Sequence, residues 1–235
     1  PFERGKNMIL NKNDYPSLNA LLLGEHEEKP IKVLNLYSGL GGNRQLWKNC
    51  EITSVEYDPK IGEIYKQQFP NDKLIIGDAH DYLLKNFQDF DFIWSSPPCQ
   101  SHSRMIRSGK NRKPRYPDFK LYEEIVLLHT SFKGLWIVEN VVPYYNPLIE
   151  PNKTIGRHLF WSNFDFECED VPSPKNFINK TTVEGANQLK KWLNINYDGN
   201  IYYDKNHCPA QVLRNCVHPK IGESIFNQMR RHYVR

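Results

Sequence analysis

Short apolar runs spaced by roughly 20 to 40 residues set the rhythm of the chain: Ile31–Tyr37, Ile52–Tyr57, Lys73–Ile76, Asp91–Trp94 and Leu135–Val138. Runs of that length, with helix-like spacing between them, predict repeated βα units. The expected fold class is therefore α/β, with a mainly parallel, doubly wound sheet and helices on both faces. Arg157–Phe164 predicts a further strand, and Pro219 to about Arg231 predicts a helix through Ile221, Ile225 and Met229. Between Glu167 and Pro209 the pattern gives way to Pro, Asn, Lys and aromatic residues, which predicts a small irregular lobe. Ahead of Ile31, Ser17 with Leu18, Leu21 and Leu22 predicts a short helix before a polar linker. The expected organisation is an N-terminal extension (1–30), a main domain (31–166 and 210–235) and a small lobe (167–209).

The chemistry-bearing residues fall at the ends of these runs, where open α/β sheets bind ligands. The first run ends in Tyr37-Ser38-Gly39-Leu40-Gly41-Gly42, a glycine-rich turn expected to lead into a helix and to let a nucleotide-like ligand approach the backbone. The second ends in Val55-Glu56-Tyr57-Asp58 and the third in Gly77-Asp78-Ala79. A carboxylate at Glu56 suits a ribose diol, and one at Asp78 suits an adenine amino group. Together these three tips describe an adenosine pocket. No Gly-Lys-Ser/Thr follows and acids line the site, so a phosphate is not expected.

Phe92-Ile93-Trp94 runs into Ser95-Ser96-Pro97-Pro98-Cys99-Gln100. Two prolines fix two φ angles and supply no amide protons, so the segment carrying Cys99 neither extends the strand nor starts a helix. Cys99 reads either as a small core residue or as a presented nucleophile. Leu135-Trp136-Ile137-Val138 leads to Glu139-Asn140-Val141, where the carboxylate is either a cap or a functional acid. From Ser101 to Pro117 the chain carries six basic residues and no acid. Such a run is a solvated loop or, directly behind a nucleophile, a clamp on a polyanion.

Composition narrows the setting. The 235 residues, 39% of them hydrophobic, suffice for one large domain. Five scattered cysteines (50, 99, 168, 208, 216) disfavour a disulfide framework and suit a reducing compartment. The net charge of +4 is too mild to define a partner by itself. No apolar run approaches 18 residues and no signal-peptide pattern is present, so a soluble, cytoplasmic protein is expected, with no membrane partner. His207-Cys208 and Cys216-His218 lack the usual zinc spacing, and no metal is expected.

Six motifs in order carry a resemblance: Leu36-Tyr37-Ser38-Gly39-Leu40-Gly41-Gly42, Val55-Glu56-Tyr57-Asp58, Gly77-Asp78-Ala79, Pro97-Pro98-Cys99-Gln100, Glu139-Asn140-Val141 and Arg214-Asn215-Cys216-Val217-His218-Pro219. Over residues 31 to 165 and 210 to 231 the chain resembles the DNA cytosine-5 methyltransferases, in a compact bacterial or phage form of the restriction-modification type. The resemblance implies a Rossmann-like methyltransferase fold that uses S-adenosylmethionine. It implies that Tyr37, Gly39, Gly41, Gly42, Glu56, Tyr57, Asp78, Ala79, Pro98, Asn215 and Val217 hold the cofactor. Cys99 would add to carbon 6 of a cytosine flipped out of double-stranded DNA and Glu139 would supply a proton, with Arg157 and His158 beside them. Gln100, Ser103, Arg104, Arg107, Lys110, Arg112, Lys113 and Arg115 would contact DNA, with Met105-Ile106 as a wedge. Residues 167–209 would be the target-recognition lobe, with Lys175, Asn176, Asn179, Lys180, Asn187, Gln188, Lys190 and Lys191 as candidates for base readout. The enzyme would act as a monomer. A tRNA cytosine-5 methyltransferase and a catalytically silent DNA-binding homologue are the alternatives.

Two departures from the family pattern matter. Many members carry two arginines one residue apart on the strand after Glu-Asn-Val, whereas this chain has Gly156-Arg157-His158-Leu159. Neighbouring strand residues face opposite ways, so one of Arg157 and His158 is expected at the cytosine, with His158 favoured. Arg214 stands where the family has glycine, which bears on how closely the backbone approaches the ligand.

Overall fold

Each central strand buries both of its faces, and that is why the apolar runs are continuous rather than alternating. In the computed structural model, which describes residues 29–104, 116–175, 182–202 and 208–233, β1 (Ile31–Leu36), β2 (Cys50–Glu56), β3 (Lys73–Ile76), β4 (Phe92–Ser95) and β5 (Leu135–Val141) pair in parallel. β7 (His158–Ser162) runs antiparallel between β5 and the short β6 (Lys153–Ile155), giving the order β3-β2-β1-β4-β5-β7-β6. Val33, Phe92, Trp94, Ile137 and Phe160 face one core layer, while Leu34, Leu36, Ile93, Val138 and Leu159 face the other. Chain order reverses between β1 and β4, which opens a crevice at their carboxyl ends. Residues Ile31–Arg235 form a unit separate from Pro1–Pro30.

The helices cover both layers. α1 (Pro59–Gln68) starts at Asp58, whose side chain accepts from the Lys60 amide at 2.8 Å. α2 (Ala79–Asn86) and α3 (Lys120–Ser131) lay Leu83, Leu121, Ile125 and Leu128 on one layer. The last helix, α6 (Pro219–Tyr233), lays Ile221, Ile225, Phe226 and Met229 on the other, with Phe226 stacked on Trp47 at 4.9 Å. Gly222 brings α6 against the loop after β1, because a Cβ there would sit 2.1 Å from the Asn43 carbonyl oxygen. Gly222→Ala is therefore expected to destabilise the fold by about 1–3 kcal/mol. A thermal melt checks this, and an unchanged midpoint would show that the contact yields freely.

Three expectations are corrected. The glycine turn does not lead into a helix; consecutive turns span residues 42–46 instead. Gly39 and Gly41 hold φ of +52° and +75°, and the bonds that follow close three-residue turns, the Arg44 amide donating to the Gly41 carbonyl at 3.0 Å and the Trp47 amide to the Arg44 carbonyl at 3.1 Å. The 167–209 lobe is less irregular than its composition suggests. It contains α4 (Val183–Leu193), capped by Thr182, whose Ala186, Leu189 and Leu193 share a core with Leu40, Ile61 and the short α5 (Gln211–Arg214). The strand expected over Arg157–Phe164 is the second arm of a hairpin: Ile155 pairs with His158 and Gly156-Arg157 forms the turn, with Gly156 at φ +56°. The expected helix near Ser17, the wedge Met105-Ile106, the basic residues Arg107, Lys110, Arg112, Lys113 and Arg115, and Asn176, Asn179, Lys180 and His207 lie outside the described residues. Among the described residues no helix is long and apolar enough to cross a membrane, and no cluster of three metal-ligating side chains occurs.

Candidate active site

A cavity of about 340 Å³ opens at the carboxyl ends of β1, β2, β4 and β5. Its lining includes Tyr37, Gly39, Gly42, Glu56, Tyr57, Asp78 and Ala79 at one end and Pro98, Cys99, Gln100, Glu139 and His158 at the other. Asn215 and Val217, from the segment before α6, line it as well. Gly41 stands off the cavity and makes room for the rings of Tyr65 and Phe69, which a Cβ would meet at 2.9 and 2.3 Å. Gly42 lies where a Cβ would come within 2.5 Å of the Val217 carbonyl oxygen, so the glycine turn and the C-terminal segment close on each other there.

Glu56 is 7% exposed, and both of its oxygens are aimed by backbone. The Gly39 amide donates to one at 2.8 Å and the Asp58 amide to the other at 2.9 Å. Burial raises its pKa, and these amides oppose the rise. Among the described residues its hydrogen-bond partners are amides rather than a cation, so its remaining lone pairs suit hydroxyl donors. Asp78 caps α2 through the Asp81 amide at 3.1 Å and lies 3.6 Å from the Lys120 ammonium. Burial pulls its pKa up, but that amide and Lys120 outweigh it, and the net shift is down. Tyr57 is 72% exposed, a broad ring face at the rim. Glu56, Asp78, Asp118 and Glu139 outnumber Lys120 along the walls, which suits a cationic ligand.

At the other end the chain is pinned. The Cys99 carbonyl accepts from the His102 and Ser103 amides at 3.0 and 2.9 Å, and the Pro97 carbonyl accepts from Asn140 Nδ2 at 3.0 Å. Cys99 Sγ lies 4.0 Å from Asn215 Oδ1. Burial, and then the Glu139 carboxylate, push the thiol up to about 11, while Arg157 pulls the other way. Glu139 is buried and hydrogen-bonded to His158 Nδ1. Arg157 donates to the Arg214 carbonyl and interacts electrostatically with Glu139, Cys99 and Cys216. Burial lowers its pKa, and those neighbours oppose the drop.

Arg157 sits on the hairpin turn rather than on a strand, so it is not strand alternation that sets it apart from His158. His158 lines the cavity and hydrogen-bonds to Glu139, while Arg157 lies outside the lining and acts on Glu139 and Cys99 through its charge. The Arg214 side chain, at the family's glycine position, turns to Cys208 Sγ at 3.1 Å and leaves its carbonyl to Arg157. Ser103 and Arg104 lie outside the lining; Ser103 bridges to Pro143, and Arg104 Nε donates to the Pro143 carbonyl at 3.1 Å. On the lobe, Asn187, Gln188, Lys191 and Lys175 are exposed. Lys190 holds the Tyr197 and Gly199 carbonyls at 2.7 and 3.1 Å. Sequence reasoning missed the part played by Asn140, which it quoted only within a motif, and missed His102. The His102 ring is buried at the cavity wall with Nδ1 2.5 Å from the Tyr145 hydroxyl, and burial lowers its pKa.

Residues 31–147 match the model of the C-5 cytosine-specific DNA methylase family. The chain is 33% identical over 120 residues to the tRNA (cytosine(38)-C(5))-methyltransferase of Homo sapiens, covering 48% of this chain and 31% of that protein. It is 22% identical over 239 residues to the Type II methyltransferase M1.BsuMI of Bacillus subtilis, covering 86% of this chain and 53% of that one. The matched region thus spans about a third to a half of these relatives' length. Among solved structures, a mutant of Spodoptera frugiperda DNMT2 aligns at 28% identity and a TM-score of 0.37, over 50% of this chain and 38% of that one.

Proposed function

Because the chain belongs to the C-5 cytosine-specific DNA methylase family, we propose that it transfers a methyl group from S-adenosylmethionine to carbon 5 of a flipped-out cytosine in DNA, through a covalent adduct of Cys99. The observation that carries this reading is the convergence of Cys99, Glu139 and His158 in the cavity whose far end holds Glu56. S-adenosylmethionine, when bound, supplies an electrophilic methyl group. Glu56 would hold its ribose hydroxyls, Asp78 and the Tyr37 and Tyr57 rings its adenine, and the acidic walls suit its sulfonium charge.

The chain's own residues do the rest. Cytosine carbon 5 is a weak nucleophile until the ring's conjugation is broken, so Cys99 adds at carbon 6 as its thiol proton passes to the Glu139 carboxylate. The negative charge that develops toward ring nitrogen 3 is met by a proton from Glu139, which His158 orients and the Arg157 cation faces. Carbon 5 then takes the methyl group and loses its proton to water or hydroxide. As that proton leaves, the carbon–sulfur bond breaks, Cys99 is released as thiolate and ring nitrogen 3 returns its proton to Glu139. Reaching both ring faces requires extruding the base from the duplex, at about a few kcal/mol. Gln100, Ser103 and Arg104 follow Cys99 in the chain and, with the basic residues Arg107, Lys110, Arg112, Lys113 and Arg115, would hold the strand.

A tRNA substrate is the second reading, favoured by the higher identity to the human tRNA enzyme, 33% against 22% for the Bacillus protein. Transfer of labelled methyl to duplex DNA and to tRNA, run side by side, decides between them: label in tRNA alone selects the second reading, and label in neither overturns both. On the cofactor side, Glu56→Ala is expected to weaken S-adenosylmethionine binding by about 1–3 kcal/mol through lost hydrogen bonds to a charged acceptor. Calorimetry measures it, and an unchanged affinity would remove Glu56 from the ribose.

A further inference from the structure

Behind the cavity lies a fully buried carboxylate that the proposed chemistry does not use. Glu124, on α3, is 0% exposed. Its Oε1 accepts from the Tyr37 hydroxyl at 2.6 Å and lies 3.0 Å from His80 Nδ1, and its Oε2 accepts from Ser95 Oγ at 2.6 Å. His80 Nε2 lies 3.4 Å from Glu123 Oε2. Tyr37 is the first residue after β1 and Ser95 the last of β4, and their neighbours are in register, Leu36 opposite Ser95. One side chain thus joins the tips of the two strands that flank the crevice. Tyr37 lines the cavity at φ +54°, a backbone state that a tyrosine holds only when its surroundings impose it. Ser95 begins the segment that ends at Cys99, which the Asn140 bond to Pro97 fixes from the other side.

A leucine would fill this position without burying a charge, and a buried ion pair is a poor way to gain stability. What the carboxyl group supplies instead is direction, two hydrogen bonds to two different strand tips with His80 Nδ1 beside it. We propose that Glu124 is a positioning residue for methyl transfer, holding the Tyr37 ring against the cofactor and the Ser95 stem of the Cys99 segment in one fixed relation. The proposal rests on the methyltransferase reading above. Tilting either tip moves the cofactor wall or the thiol, and a misplacement near 1 Å is enough to cost about 100-fold in rate.

The test compares wild type, Glu124→Leu and Glu124→Gln by S-adenosylhomocysteine binding, by methyl-transfer kcat and by thermal melting. Glu124→Leu is expected to raise the Kd and to lower kcat, each by about ten-fold or more. Glu124→Gln, which keeps the shape and one acceptor, should recover part of both. A purely structural role would lower the melting midpoint while leaving Kd and kcat of the folded protein within two-fold of wild type, and that result overturns the proposal. If Glu124→Leu does not fold, Tyr37→Phe and Ser95→Ala each delete one of the two hydrogen bonds. The first should weaken binding and the second should lower kcat; neither effect exceeding two-fold is again fatal. Failure of the underlying reading looks different, since wild type itself would then neither bind S-adenosylhomocysteine nor methylate DNA or tRNA, and the proposal falls with it.

Discussion

Cys99→Ser is expected to lower methyl transfer by at least about 10⁴-fold, the scale of losing a covalent nucleophile, while S-adenosylmethionine still binds. The reason lies in the surroundings of the thiol. With Cys99 pushed up to about 11 by burial and by Glu139, a fraction on the order of 10⁻⁴ is thiolate at pH 7 in the free protein. A serine hydroxyl in the same place starts several units higher still, and neither the Arg157 cation nor the bound base brings it within reach. Labelled-methyl transfer by the variant, with calorimetry on the same sample, reads both halves of the expectation. Turnover within ten-fold of wild type would remove the covalent route.

Glu139→Gln should produce two effects of opposite sense. Methyl transfer is expected to drop by about 10²–10⁴-fold, the usual cost of losing a general acid that faces developing charge. The thiol should become easier to ionise, because after burial the Glu139 charge is the largest influence raising Cys99, and its removal leaves burial opposed by the Arg157 charge. In wild type, alkylation of Cys99 by iodoacetamide, followed at that residue by mass spectrometry, should climb with pH toward about 11. In the variant the same curve should lie at lower pH. A more reactive sulfur in a less active enzyme is a combination that simple misfolding does not produce. A curve that does not move would break the electrostatic link between the two side chains.

The strands were legible because β1, β4 and β5 are apolar on both faces, a pattern that survives without knowledge of any partner. The hairpin was not, because β6 is a three-residue strand and Lys153-Thr154-Ile155 has no pattern of its own. That omission carried directly into the site, since a strand start at Arg157 imposed an alternation that the turn does not obey. The glycine turn was misread as a helix start because glycine permits both outcomes, and its close approach to Cys216 and Val217, far along the chain, has no local signal. α4 was hidden by its Pro- and Asn-rich flanks, although Ala186, Leu189 and Leu193 keep helical spacing. Cys99, Glu56 and Glu139 were legible from their places at strand tips together with motif order. Glu124 was not: a glutamate in an amphipathic helix reads as a solvated residue, and only the packing of α3 over β1 and β4 shows it facing inward.

The dependence of the glycine turn on Asn215–Val217, and of Trp47 on Phe226, also constrains the order of events during synthesis. Strands β1 to β5 leave the ribosome well before the pieces that seal their crevice, so a nascent chain ending near Phe166 exposes the Trp47 side of its sheet and has half a binding pocket. Domains fold as units once their last contributing segment is free. Among the described residues α6 is the last piece of this core, and methyl-donor affinity should rise as it emerges.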